Sequence, residues 1–195
     1  MITSTQSLGS RRSVSRFVGS EAIVELGCGF GLNLFSLYLK NGDRSYAGFD
    51  ISDNALAIGE QLKDHFGVST IDFATIDLTN PDHEAWGELE GKTVFTYHCL
   101  EQMPRLAEGI LTRLAKARPK LVIHIEPAVG LYNFFTLRDL ASFIYIKRRD
   151  YFSNLIAIGD RMQASGVIEV VSEERLYYSP EPRYDSTLFV WRPKS

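Results

Sequence analysis

Glu25 stands two residues before the first of three alternating glycines, Gly27, Gly29 and Gly31, and Asp50 lies nineteen residues beyond the last of them. Glycine has no Cβ, so such a turn reaches conformations other residues avoid and brings its backbone close to a ligand. Asp50 closes the apolar run Ser45-Tyr46-Ala47-Gly48-Phe49-Asp50, where its two oxygens are placed to accept hydrogen bonds from a ribose diol. A carboxylate beside the turn would repel a pyrophosphate, because like charges held close in a dry site are costly. The same carboxylate suits a cationic group such as an amino acid ammonium. The chemistry these residues imply is the binding of a nucleoside-containing cofactor. Its spacing, Gly27-x-Gly29-x-Gly31, differs from the G-x-G-x-x-G fingerprint of nicotinamide binding.

The run Glu25-Leu26-Gly27-Cys28-Gly29-Phe30-Gly31 resembles the first motif, E/D-x-G-x-G-x-G, of the class I S-adenosylmethionine-dependent methyltransferases. The similarity extends in order over residues 21–127, with a compatible ending to 192. It implies S-adenosylmethionine as cofactor and S-adenosylhomocysteine as product. Glu25, Gly27, Cys28, Gly29 and Gly31 would surround the cofactor, and Asn33 would either bind its carboxylate or satisfy the helix end. Asp50 would hold the ribose, with Ile51 against the adenine, and Asp77 and Leu78 would meet the adenine from the third strand. The fourth and fifth strands of the family resemble Val94–Gln102 and Leu121–Pro127.

A sulfonium carries an already activated methyl group, so transfer needs positioning of a nucleophile more than a special catalytic residue. A hydroxyl acceptor also needs a base, and histidine has the ordinary pKa for that task. His98 is the first candidate, with the alternative that it only lines the cofactor through its backbone. Glu101 is the second, as a base, as an anchor for a cationic acceptor, or as a cap on the following helix. His124, inside an apolar strand, reads as a hydrogen-bonded core histidine. Glu126, at the strand end before Pro127, reads either as facing the acceptor or as structural. Acceptor-binding candidates further along are Tyr132, Arg148, Tyr151 and Asn154. They fall in or near the polar and aromatic cluster around Arg149 and Asp150, which could hold a carboxylate, phosphate or sugar or simply be surface charge.

Positioning these groups takes strands and helices in alternation. Apolar, β-rich strands are predicted at 21–26, 45–50, 69–76, 92–98 and 120–126, followed by 167–176 and 186–192. Helices are expected over 30–40, stopping at Asn41-Gly42, and from Ser52-Asp53 to Gly67. A short helix is expected from Asn80-Pro81 through Trp86, and another between Pro104 and Pro119. The fold class is α/β: a Rossmann-like three-layer α/β/α sandwich with a mostly parallel seven-stranded sheet and an antiparallel final strand. Residues 128–166, rich in aromatics including Phe152, are expected to add helices near 136–147 and 152–164 that cap the acceptor site. A loop with Tyr178, Pro180, Pro182 and Tyr184 joins the last strands, and Ser13 to Val18 is expected to form one short helix.

At 195 residues and 45% hydrophobic content, the chain suits one domain. A net charge of −3, with only short basic groups at Arg11-Arg12 and Lys147-Arg148-Arg149, gives no reason to expect nucleic-acid binding. Two cysteines suit a reducing compartment, no Cys/His spacing suggests a metal, and no apolar run is long enough for a membrane span. The reading is a soluble, cytoplasmic methyltransferase of a small-molecule acceptor, with O-methylation slightly preferred. Its alternatives are an NAD-dependent oxidoreductase and a non-catalytic methyltransferase-like binding protein.

Overall fold

The computed structural model describes residues 14–17, 19, 22–42, 44–103, 106–151, 154–177 and 185–194. Expectations that fall on Arg11, Arg12, Pro104, Phe152, Tyr178, Pro180, Pro182 and Tyr184 lie outside those residues. So do the ends of the short N-terminal helix, of which Val14 and Ser15 are helical.

Seven strands form one sheet: β1 (Ile23–Leu26), β2 (Tyr46–Asp50), β3 (Ile71–Thr75), β4 (Thr93–Tyr97), β5 (Leu121–Glu126), β6 (Ile168–Leu176) and β7 (Ser186–Pro193). Their order is β3-β2-β1-β4-β5-β7-β6, with β7 antiparallel to both neighbours and the other pairs parallel. The expected fold class is the observed one. The chain turns back across the sheet between β1 and β4, so the loops after these two strands flank a crevice at their carboxyl ends, where open α/β sheets bind ligands.

Strand alternation sends side chains to two apolar layers. Val24, Leu26, Val94, Val122, Phe189 and Trp191 belong to one, and Ile23, Phe95, Ile123, Leu188 and Val190 to the other. The second layer is covered by α1 (Leu32–Asn41) and α2 (Asp53–Phe66) through Leu34, Leu37 and Leu56. The first is covered by α3 (Ala107–Lys116) and α5 (Leu155–Ala164) through Ile110, Leu111, Leu114 and Ile158. Between β5 and α5 runs α4 (Leu137–Arg148), started by the Thr136 hydroxyl accepting from the Asp139 amide at 3.2 Å.

The helix stops are as expected. Gly42 donates to the Tyr38 carbonyl at 2.9 Å, and Gly67 closes α2 in the left-handed conformation. Ser52 caps α2 by accepting from the Ala55 amide at 3.3 Å. The segment around Trp86 differs from expectation: it is a 3-10 helix over Glu84–Leu89, capped by His83 rather than begun at Pro81. Asn80 spends its carbonyl on the Trp86 indole N–H, at 2.9 Å, and its side chain on the Asp82 amide, which fixes a turn in place of a first helical turn.

Candidate functional site

The loops after β1, β2, β3 and β4 surround a cleft of about 360 Å³. Gly27, Asp50, Ile51, Asp77, Leu78 and His98 all line it, so residues spread over 72 positions of sequence meet at one place.

The glycine turn shows why the spacing matters. Gly27 has φ +71°, and a Cβ there would come within 2.3 Å of the Cys99 sulfur, so only glycine lets the loops after β1 and β4 approach. Gly29 has φ +55° with open space where its Cβ would be. Its amide donates to Asp50 Oδ2 at 2.8 Å, while Asp50 Oδ1 accepts from the Ser52 amide at 2.9 Å. Asp50 therefore ties the turn to the start of α2 and still has lone pairs on both oxygens for a ligand. Cys28 is buried, its thiol turned to the Gly29 carbonyl at 3.4 Å. Burial, with the charges of Glu25 and Asp50, pushes this thiol well above its ordinary value, which leaves it an inert packing group.

Glu25 is buried at the end of β1. Asn33 Nδ2 donates to its Oε1 at 2.7 Å, and its Oε2 has no hydrogen-bond partner. Burial pushes the Glu25 carboxyl up to about 8; the Asn33 hydrogen bond opposes the rise and the Asp50 charge adds to it. A buried oxygen without a partner is costly, and a hydrogen-bond donor placed against it removes that cost. Asn33 is thus the partner of Glu25, a role that neither of its two expected readings included.

On the far side, Asp77 Oδ1 accepts from both the amide (2.8 Å) and hydroxyl (2.6 Å) of Thr79. These bonds hold the Asp77 carboxyl below its usual range, so it stays an acceptor. Ile76, Thr79, Cys99, Gln102 and Met103 also line the cleft and were missed as site residues. The Asp77-x-Thr79 pattern was a readable cue for a side-chain-to-backbone turn; Gln102 and Met103 carried none.

His98 sits in the left-handed region, φ +51°, directly after β4. Its Nδ1 is 3.3 Å from Glu101 Oε2 and its Nε2 is 2.8 Å from the Ser186 hydroxyl on β7. With a carboxylate at Nδ1, the neutral ring keeps its proton there and Nε2 accepts from Ser186. Burial lowers the His98 pKa, but the Glu101 hydrogen bond and charge, with the Glu126 charge, leave it above its ordinary value. Ser186 lies 88 residues away in sequence, so nothing local pointed to it.

Glu126 does not line the cleft. It is buried, its Oε1 accepting from the Cys99 and Leu100 amides at 3.1 and 3.2 Å and its Oε2 from the Glu101 amide at 3.3 Å. It fixes the loop that carries His98 and Glu101. Burial pushes it up to about 7. Tyr132 is buried too, 4.0 Å beneath the Arg175 guanidinium. Arg148 and Asn154 are exposed outside the cleft walls, at the end of α4 and the start of α5. Tyr151 packs edge-on against Tyr145 at 6.1 Å, and the Glu101 charge is among the causes, after burial, that raise its phenol pKa. His124 is a core residue as expected: Nδ1 is 2.9 Å from the Thr96 hydroxyl and burial holds the ring down to about 3.

No protein-family model matches the sequence, and a search of curated proteins finds no match. Solved structures do match. Magnesium protoporphyrin IX methyltransferase (ChlM) from Synechocystis PCC 6803, with bound S-adenosylhomocysteine, aligns with 97% of this chain and 82% of its own at 17% identity and TM-score 0.65. The methyltransferase domain of bacterial CtHen1-C aligns over 98% of both chains at 17% identity and TM-score 0.66. The O-methyltransferase NcsB1 from neocarzinostatin biosynthesis, in complex with S-adenosylmethionine and 2-hydroxy-5-methyl naphthoic acid, aligns with 90% of this chain and 49% of its own, at 17% identity and TM-score 0.64. Sheet order, the single antiparallel strand and these alignments agree: the chain has the fold of the class I S-adenosylmethionine-dependent methyltransferases.

Proposed function

We propose that this chain is an S-adenosylmethionine-dependent methyltransferase acting on a small-molecule acceptor, with transfer to oxygen preferred. The observation that carries the reading is the partnerless Oε2 of buried Glu25 beside a glycine turn that closes on Asp50. A cation with N–H donors satisfies that oxygen; a pyrophosphate does not, which disfavours the nicotinamide alternative. The residues thus fit the cofactor: Glu25 and the turn for its amino acid end, Asp50 for the ribose, Ile51, Asp77 and Leu78 for the adenine. When bound, S-adenosylmethionine supplies an electrophilic methyl group.

The chain's own part is to orient the acceptor, exclude water and take its proton. His98 is the base: Glu101 holds Nδ1–H, and Nε2 receives the proton once the Ser186 hydroxyl turns aside. Glu101 and Glu126 offset the positive charge that then forms on the ring. Tyr151, packed edge-on against Tyr145, remains an acceptor-binding candidate, although it does not line the cleft itself. NcsB1, crystallised with a hydroxylated aromatic acid, makes hydroxylated aromatics the first acceptors to try.

Titration calorimetry with S-adenosylmethionine, S-adenosylhomocysteine and NADH tests the reading. Saturable binding of the first two and not the third is expected. Asp50→Ala, which removes two charge-assisted hydrogen bonds to a ribose, should weaken binding on the order of 100-fold. Binding of NADH alone overturns the proposal, and binding without transfer to any acceptor supports the non-catalytic alternative.

A further inference from the structure

Helix α4 is built inside out. Its inward side carries Asp139 and Ser142, both buried, along with Ile146. Asp139 pairs with Arg175 at 2.9 Å and accepts the Asn133 amide at 2.8 Å. Its outward side carries Leu137 (86% exposed), Leu140 (40%) and Ile144 (43%), at the spacing that aligns residues along one helical face. Phe135, wholly exposed, and Phe134, half exposed, extend this patch at the helix start. Single exposed apolar residues are ordinary, whereas a contiguous group marks a surface that something covers.

The cover is identified by charge. Lys147, Arg148 and Arg149 are exposed at the far end of the same helix, on a chain whose net charge is −3. The Lys147 ammonium and the Arg149 guanidinium each lie 5.7 Å from the centre of an aromatic ring, Phe143 and Tyr145, so cations and apolar side chains share one end of the helix. The outward positions Leu137, Leu140, Ala141, Ile144 and Arg148 include no carboxylate. A second copy packed face to face would set its cations against a face that cannot answer them.

We infer that the outward face of α4, with Phe134 and Phe135, docks on the surface of a lipid bilayer bearing anionic headgroups. At 12 residues the helix lies along such a surface, and no helix among the described residues is long and apolar enough to cross one. The body of the protein holds the helix in place through the Asp139–Arg175 pair, so its apolar side is presented already folded.

Co-sedimentation with vesicles of phosphatidylcholine, alone or mixed with phosphatidylglycerol, tests this without any dependence on the cofactor. The protein should pellet with the anionic vesicles and be released by salt. Lys147→Glu with Arg148→Glu should weaken partitioning on the order of 25-fold or more, since each basic residue near such a surface contributes about fivefold. Leu137→Asp with Ile144→Asp should abolish it, and the thermal midpoint should hold because these side chains are exposed. Protein that stays in the supernatant, or pellets equally with neutral vesicles, overturns the proposal. So does a dimer in sedimentation velocity that Leu137→Asp with Ile144→Asp dissociates.

Discussion

Glu25 is the residue whose ionisation a ligand would control. Near neutral pH its carboxyl, raised to about 8, is mostly protonated in the empty protein. A cationic group seated against Oε2 favours the ionised form, so binding at about pH 7 should release close to one proton. Calorimetry of S-adenosylhomocysteine in two buffers of different ionisation enthalpy reads this directly, and affinity should strengthen as pH rises towards 8. Glu25→Gln should abolish the release and weaken binding, and a wild-type enthalpy independent of buffer would refute the assignment. The identity of Glu25 was legible in sequence because the motif is contiguous; its protonation was not, since burial comes from strands that arrive later. Asp50 and Asp77 were legible for the same local reason. Ser186 and the three amides on Glu126 were not, because β7 and the loop after β4 meet them only in the folded sheet.

Helices obeyed their local cues where glycine or a capping hydroxyl decided the boundary, as at Gly42, Ser52 and Gly67. The Trp86 segment did not, because an indole hydrogen bond to Asn80 outweighed the proline start. Packing between elements supplies a sharper test, in two helical glycines with opposite surroundings. A Cβ at Gly159 of α5 would come within 2.2 Å of the Phe189 ring on β7, whereas one at exposed Gly109 of α3 meets nothing within 4 Å. Replacing glycine by alanine in a helix gains about 1 kcal/mol from propensity alone. Gly109→Ala should therefore stabilise by roughly that amount. Gly159→Ala should destabilise by about 1–3 kcal/mol, because a ring held between strand and helix cannot retreat. Denaturant titration of both variants checks the sign at each site. Two changes of the same sign would mean that the contact between α5 and β7 is looser than the structure shows.

Across the whole molecule, the buried acids and histidines make stability depend on pH in an unusual direction. Glu25 at about 8 and Glu126 at about 7 lie above their ordinary value of 4.5, and His98 also lies above its own. The folded chain therefore holds more protons than the unfolded chain in this range. Stability from that excess is fully present below the unfolded values and is lost as pH rises through the folded ones. His124, held down to about 3, works the other way, but only below its ordinary value of 6.5. Between about pH 6.5 and pH 8.5 these three raised groups dominate, with the thiols of Cys28 and Cys99, also raised by burial, adding in the same direction near the upper end. The empty protein should melt roughly 5–10 °C lower there. Saturating S-adenosylhomocysteine should raise the midpoint at both ends and narrow the gap, because a cation on Glu25 lowers its folded pKa towards the unfolded one. Thermal scans at the two pH values, with and without ligand, give four midpoints. A midpoint that rises with pH in the empty protein would mean that Glu25 and Glu126 are ionised in the fold and that the cleft is wetter than its burial implies. A gap that ligand leaves unchanged would place the cationic end of the ligand away from Glu25. Of these groups His98 lines the cleft, held in the left-handed region, while Glu25 and Glu126 are buried behind its wall. A ligand whose cationic end reaches Glu25 Oε2 therefore removes the cost of that orphaned oxygen and leaves the others in place.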